Sequence, residues 1–234
     1  MLESLKQAVC QANLDLVQEG LVVQTWGNAS GLDRARGLMV IKPSGVAYSV
    51  LKPAQMVVVA LASGQVVEGK LKASSDTETH LELYRAFAGI GGIVHTHSLH
   101  ATAWAQTGQP IPPLGTTQAD YFHGEVPCTR RLTPAEIQRD YECNTGRVIV
   151  ERFKGLDALH QPAVLVAQHG PFAWGSDVAE AVQNAVALEF IARLAGETLR
   201  LRFDAPAMQE ELRDKHFFRK HGPSASYGQT KRNK

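Results

Sequence analysis

Two imidazoles one residue apart, His95-Thr96-His97, close a short apolar run that begins at Gly92. In a β-strand, side chains two positions apart leave the same face, so both rings can reach one ion. His169 stands in the same way after a second apolar run, Pro162 to Ala167. Three neutral imidazoles suit zinc or a similar borderline divalent ion and leave a position open for substrate, which is the layout of a catalytic site. An H-x-H pair alone also reads as two partly exposed histidines at a strand end, and the third ring is what favours a metal. Asp76 joins the group only by inference, because a carboxylate at a helix start ordinarily serves the helix dipole. His80, His100 and His160 have no comparable placement and read as surface or core residues.

A second group is Gly27-Asn28 after Trp26, Lys42 with Ser44-Gly45, and Ser74-Ser75. Small hydroxyl residues, glycines and a helix N-terminus supply N–H and O–H donors, which can hold a phosphate without many basic side chains. Singly, Pro43-Ser44-Gly45 is a turn and Ser74-Ser75 a helix cap; only together do they point to phosphate. A third group is Asp120-Tyr121 in a loop rich in glycine and threonine, with His216, Arg219 and Tyr227 towards the C-terminus. Aspartate and tyrosine can both carry protons where their surroundings tune them, although a turn residue and a tail residue are the plain readings.

The spacing of Leu2, Leu5, Val9, Ala12 and Leu16 predicts an opening helix over 2–17, stopped by Gly20. Strands are predicted at Leu38–Ile41, Met56–Leu61 and Gln65–Val67, the last two joined as a hairpin through Ser63-Gly64. Ser75-x-x-Glu78 has the form of a capping box and predicts a helix from about Ser75. Gly92–His97 reads as a strand, followed by a helix through Trp104 to Gly108. Thr133-Pro134-Ala135-Glu136 starts another helix, Pro162–Ala167 is a buried strand, and a long helix, 177–199, follows a Ser176 cap. A last helix spans about 207–219. Strands in a meander, then strands interleaved with helices, give an α/β fold whose mixed, largely antiparallel sheet carries helices on both faces.

The 234 residues show no repeat and no linker, so one domain over 1–234 is expected, with a polar tail from about 221. Lysine and arginine number 24 against 23 acidic residues, so no bulk field draws the chain to nucleic acid or an anionic membrane. The basic end Lys231-Arg232-Asn233-Lys234 reads as solvated. Cys10, Cys128 and Cys143 are widely spaced with no C-x-x-C pair or secretory leader, which leads to the expectation of a reducing cytoplasm. No apolar run approaches the roughly 18–20 residues of a bilayer span.

Taken together, Trp26-Gly27-Asn28, Ile41–Gly45, Ser74-Ser75-Asp76, Gly92–His97, Ala119-Asp120-Tyr121, His169–Phe172, Lys220-His221-Gly222 and Tyr227-Gly228-Gln229 resemble the zinc-dependent class II aldolase/epimerase family almost end to end. The resemblance implies a three-layer αβα fold. It implies a zinc site at His95, His97 and His169 with Asp76 at the acidic position beside them, Mn2+ or Co2+ being possible substitutes. It places Gly27, Asn28, Lys42, Ser44, Gly45, Ser74 and Ser75 in a pocket for the phosphate of a sugar substrate. Asp120 and Tyr227 match the acid/base pair, with Thr116, Glu142, His216 and Arg219 completing the site. Family members form homotetramers with active sites between subunits, so the last groups are expected to act from a neighbouring chain. Related fuculose-phosphate aldolases carry Glu where this sequence has Asp76, which tilts the expectation from aldolase to epimerase. The adducin head, which uses the fold for assembly, lacks the metal histidines that are present here.

An epimerase of this kind acts on carbon 4 of L-ribulose 5-phosphate, which is β to the ketone, so its C–H is not acidified. Inversion then calls for breaking the C3–C4 bond with a Lewis acid as electron sink, rotating the aldehyde, and re-forming the bond. Two proton carriers on opposite sides would serve the two epimeric hydroxyls.

Overall fold

The computed structural model describes residues 2–221 and 225–226. Among these residues seven strands form one sheet: β1 (Asn28–Asp33), β2 (Leu38–Ile41), β3 (Val57–Ala60), β4 (Val66–Glu68), β5 (Gly92–His95), β6 (Ala163–Leu165) and β7 (Pro171–Gly175). Their spatial order is β4-β3-β2-β1-β5-β7-β6. The sheet is not mixed: all six neighbouring pairs are antiparallel, and the parallel contact Cys128–Leu165 is an isolated bridge. A parallel neighbour needs a crossover that sets the next strand beside the one it left. The connections from β4 to β5 and from β5 to β6 do return the chain in the same sense, but other strands lie between the two they join, so no parallel pair forms.

Among the described residues eight α-helices accompany the sheet: α1 (Glu3–Gln18), α2 (Thr77–Ala86), α3 (Leu99–Thr107), α4 (Thr116–Ala119), α5 (Pro134–Gln138), α6 (Tyr141–Arg152), α7 (Val178–Leu201) and α8 (Glu210–His221). The period of two along each strand divides the core between the faces. Val40, Val58, Val94 and Ala173 pack with Val9 and Leu16 of α1, Ala101 of α3 and Leu188 of α7. Their chain neighbours Met39, Ile41, Val57, Ile93, Phe172 and Trp174 pack with Leu81 and Tyr84 of α2 and Ile149 of α6.

The opening helix and the β3–β4 hairpin lie within a residue or two of the predicted positions. The Thr133/Glu136 capping box forms, but α5 lasts only five residues. Asp140 then takes a left-handed φ of 52° and the chain restarts as α6, a break sealed by Asn144 Nδ2 donating to the carbonyls of Glu136 and Arg139. The long helix is capped by Asp177, whose carboxylate accepts the Glu180 amide at 2.9 Å, and not by Ser176.

Central strand β1 escapes the sequence patterns because its residues are small or polar. Helix α1 crosses so closely that a Cβ at Gly31 would stand 2.8 Å from Leu5 Cδ1. Ser30, fully buried, is spent on a polar network, its Oγ 2.7 Å from His80 Nδ1 and 2.9 Å from the Tyr84 hydroxyl. An alternating apolar pattern could not meet either demand. His80 is accordingly a core residue.

No helix among the described residues is long and apolar enough to cross a membrane. The three cysteines are free thiols.

Candidate metal and phosphate site

Strand β5 ends at His95, two residues short of the predicted limit, yet the i, i+2 relation carries through Thr96 to His97. His169 lies on the turn between β6 and β7 and not at a strand end. Gln168 before it holds a left-handed φ of 63°, its amide tied to the Ala105 carbonyl at 2.8 Å. Gly170 after it admits no side chain, since a Cβ would meet the Thr96 carbonyl oxygen at 2.8 Å. These two constraints press His169 against the end of β5. The segment beyond His97 is held by Glu189 of α7, whose carboxylate accepts the His100 and Ala101 amides at the start of α3.

The result is a compact triad: one ligating atom from each of His95, His97 and His169 lies within 4.8 Å of the others. His95 is buried and stacked on Phe172, with ring centroids 4.1 Å apart. Its Nδ1 lies 2.9 Å from the Pro171 carbonyl oxygen, an acceptor only, so Nδ1 carries the proton and Nε2 keeps its lone pair. Tyr141 stands over His169, its hydroxyl 3.3 Å from His169 Nδ1. Burial, reinforced for each ring by the neighbouring imidazoles, pushes His95 and His169 down to about 3. His97 is lowered too, chiefly by desolvation, with the Asp76 carboxylate opposing it. Three neutral, converging nitrogen donors, one with its tautomer fixed, fit a borderline divalent cation.

Asp76 is outside this set of three but lines the same cleft. Its carboxylate accepts Asn28 Nδ2 at 2.6 Å and makes no cap bond to α2, which begins at Thr77, so the Ser75/Glu78 capping box expected from sequence does not form. The carboxylate that would close the helix end is turned to the cleft instead. Asn28 is buried, and its Oδ1 has no hydrogen-bond partner among the described residues. A buried acceptor left open beside three imidazoles is a position where a ligand would complete the bonding.

The predicted phosphate group forms the rest of the cleft, whose volume is about 390 Å³. Gly27, Asn28, Lys42, Ser44, Gly45, Ser74 and Ser75 all line it together with the histidines. Ser44 N donates to the Lys72 carbonyl and Ser74 N to that of Lys42, so the two serine-bearing segments lie side by side. Gly27 has a φ of 92°, and a Cβ there would stand 2.8 Å from the His95 carbonyl oxygen, so this loop rests directly on the strand that carries the triad. Glu142 and Tyr141, in the first turn of α6, also line the cleft. Sequence reading missed Tyr141; the signal that could have found it is its place after a chain break, beside Glu142.

Asp120, Thr116, His216 and Arg219 do not line this cleft. Asp120 ends α4 and faces α8, where it meets His216 Nδ1 at 3.0 Å, Arg219 Nη2 at 3.0 Å and Lys220 Nζ at 3.2 Å. Burial works to raise the Asp120 carboxyl, but these three donors outweigh it and hold it below the usual range. Tyr227 and the Lys231–Lys234 end lie outside the described residues. A larger groove of about 590 Å³, between α1, α4 and α7, is lined by Tyr121, Val182 and Phe190 among others and contains none of the three histidines.

Residues 7–195 match the family of the class II aldolase and adducin N-terminal domain, and the chain belongs to that family. Among solved structures it is similar to an L-fuculose 1-phosphate aldolase, 26% identical, with 92% of this chain and 94% of that one covered at a TM-score of 0.77. It is also similar to YgbL of Klebsiella pneumoniae, described as a putative aldolase/epimerase/decarboxylase, at 27% identity over 92% and 99% of the two chains and a TM-score of 0.73. The L-fuculose-1-phosphate aldolase of Thermus thermophilus is 27% identical over 86% and 98%, with a TM-score of 0.68.

Proposed function

We infer that this protein is a metal-dependent sugar-phosphate epimerase that interconverts L-ribulose 5-phosphate and D-xylulose 5-phosphate. The observation that carries the reading is the convergence in one cleft of three neutral imidazoles with the hydroxyl, amide and lysine donors of a phosphate pocket. Zinc fits the three nitrogen donors, with Mn2+ or Co2+ as substitutes, and an ion held by His95, His97 and His169 supplies a Lewis acid for carbon–carbon cleavage beside a carbonyl. Ser44, Ser74, Ser75, Asn28 and Lys42 bind the phosphate and keep the aldehyde fragment from leaving while its carbonyl rotates. Glu142 and Tyr141 line the same cleft.

Two proton carriers complete the reading. Asp120, kept ionised by hydrogen bonds from His216, Arg219 and Lys220, accepts a proton at its carboxylate, and Tyr227 is the partner on the other face. Asp120 does not line the cleft of its own chain, so it acts, together with Thr116, His216 and Arg219, on the cleft of a neighbouring chain in a cytoplasmic homotetramer. Asp76, where fuculose-phosphate aldolases carry Glu, favours the epimerase. The aldolase names of two structural neighbours favour a second reading, an aldolase that releases free aldehyde and dihydroxyacetone phosphate.

A coupled assay separates the two. L-Ribulose 5-phosphate is expected to yield D-xylulose 5-phosphate with no accumulation of free aldehyde, whereas L-fuculose 1-phosphate should be cleaved much more slowly. Faster cleavage of the 1-phosphate would establish the aldolase reading, and turnover of neither by metal-loaded protein would leave a non-catalytic assembly domain of the adducin type.

A further inference from the structure

Tyr48 begins the 3-10 turn Tyr48–Val50 and is only 7% exposed, yet it touches two separate parts of the phosphate pocket. Its hydroxyl donates to the Gly27 carbonyl oxygen at 2.8 Å and lies 3.3 Å from that of Trp26. The Lys42 ammonium sits 4.7 Å from the centre of its ring. Lys42 is 2% exposed, and among the described residues the hydrogen bond found for its ammonium is a long contact of 3.4 Å to the Pro43 carbonyl. A buried ammonium needs acceptors, and the face of an aromatic ring is a partial substitute that leaves its N–H donors available to an anion. A trans peptide points its N–H opposite its C=O, so fixing the Trp26 carbonyl also fixes the direction of the Gly27 amide, and fixing the Gly27 carbonyl holds the loop where it enters β1 at Asn28.

We propose that Tyr48 is a positioning residue of the phosphate pocket: its ring seats the Lys42 ammonium and its hydroxyl sets the 26–28 loop, so that both present donors to one anion. The proposal rests on the reading of this cleft as a phosphate site. The triad is positioned by other means, the end of β5 and the 166–170 turn, so Tyr48 controls anion binding without controlling metal binding.

The test is isothermal titration of metal-loaded protein with inorganic phosphate, with metal content measured on the same samples. Tyr48→Phe keeps the ring under Lys42 and the packing of the core but removes the hydroxyl, and it is expected to weaken phosphate binding by about tenfold at unchanged metal content. Tyr48→Leu, which also removes the ring, should weaken it further. Wild-type phosphate affinity in Tyr48→Phe would overturn the proposal, as would parallel loss of metal and phosphate, which marks a general collapse of the cleft. Failure of the unaltered protein to bind phosphate would overturn the phosphate pocket itself, and this role with it.

Discussion

Replacing His97 by alanine is expected to weaken metal binding by about 10²-fold and to lower turnover with it, while leaving the chain folded. His97 faces the open cleft, unlike His95, which is buried against Phe172, so its removal opens no cavity in the core. The energetics of four-ligand zinc sites, roughly 10–16 kcal/mol in all, assign about 3 kcal/mol to each ligand. Loss of one imidazole therefore weakens the site by on the order of 10²-fold. Competition with a chromophoric chelator measures the affinity, and circular dichroism the fold. Undiminished metal affinity in His97→Ala would remove His97 from the site.

The second large effect is loss of stability on mild acidification of the metal-free protein. His80, His95 and His169 are each pushed down to about 3 by burial, from an ordinary value of 6.5. Below about pH 6.5 the unfolded chain takes up protons that the folded chain refuses. Stability therefore falls as pH drops through the window from 6.5 towards 3, and rises with pH across it. Each such histidine contributes a slope of at most about 1.4 kcal/mol per pH unit. Three together would remove up to about 6 kcal/mol between pH 7 and 5, comparable with the whole stability of many domains. Carboxylates held low, such as Asp120, add to the loss only from the ordinary carboxylate range of about 4 downward, which leaves the upper half of the window to the histidines. Urea unfolding from pH 7.5 to 4.5 should show the fall; a flat profile above pH 5 would mean that these rings accept protons without cost.

How far the site could be read from sequence depended on whether residue type or backbone path set it. His95 and His97 were legible because a period of two survives the end of β5. The residues proposed for phosphate stood out because glycine and serine clusters are uncommon outside turns, and the structure brings all of them to one cleft. Strand β1 was not legible: its small and polar residues answer to helix α1 and to the His80–Tyr84 network, demands that come from distant segments. The Ser75/Glu78 box was misread because the Asp76 side chain bonds Asn28 across the cleft and not its own helix. Tyr141 was overlooked because only the break at Asp140 turns it towards His169. Local pattern thus located the donors, and long-range packing decided which of them share a cleft.

Elemental analysis of untagged protein before and after chelation tests the central claim most directly, that the imidazoles of His95, His97 and His169 together hold one divalent cation. The account predicts one divalent ion per chain, lost on chelation and restored by stoichiometric zinc. A chain purified and reconstituted without taking up any divalent metal would contradict it.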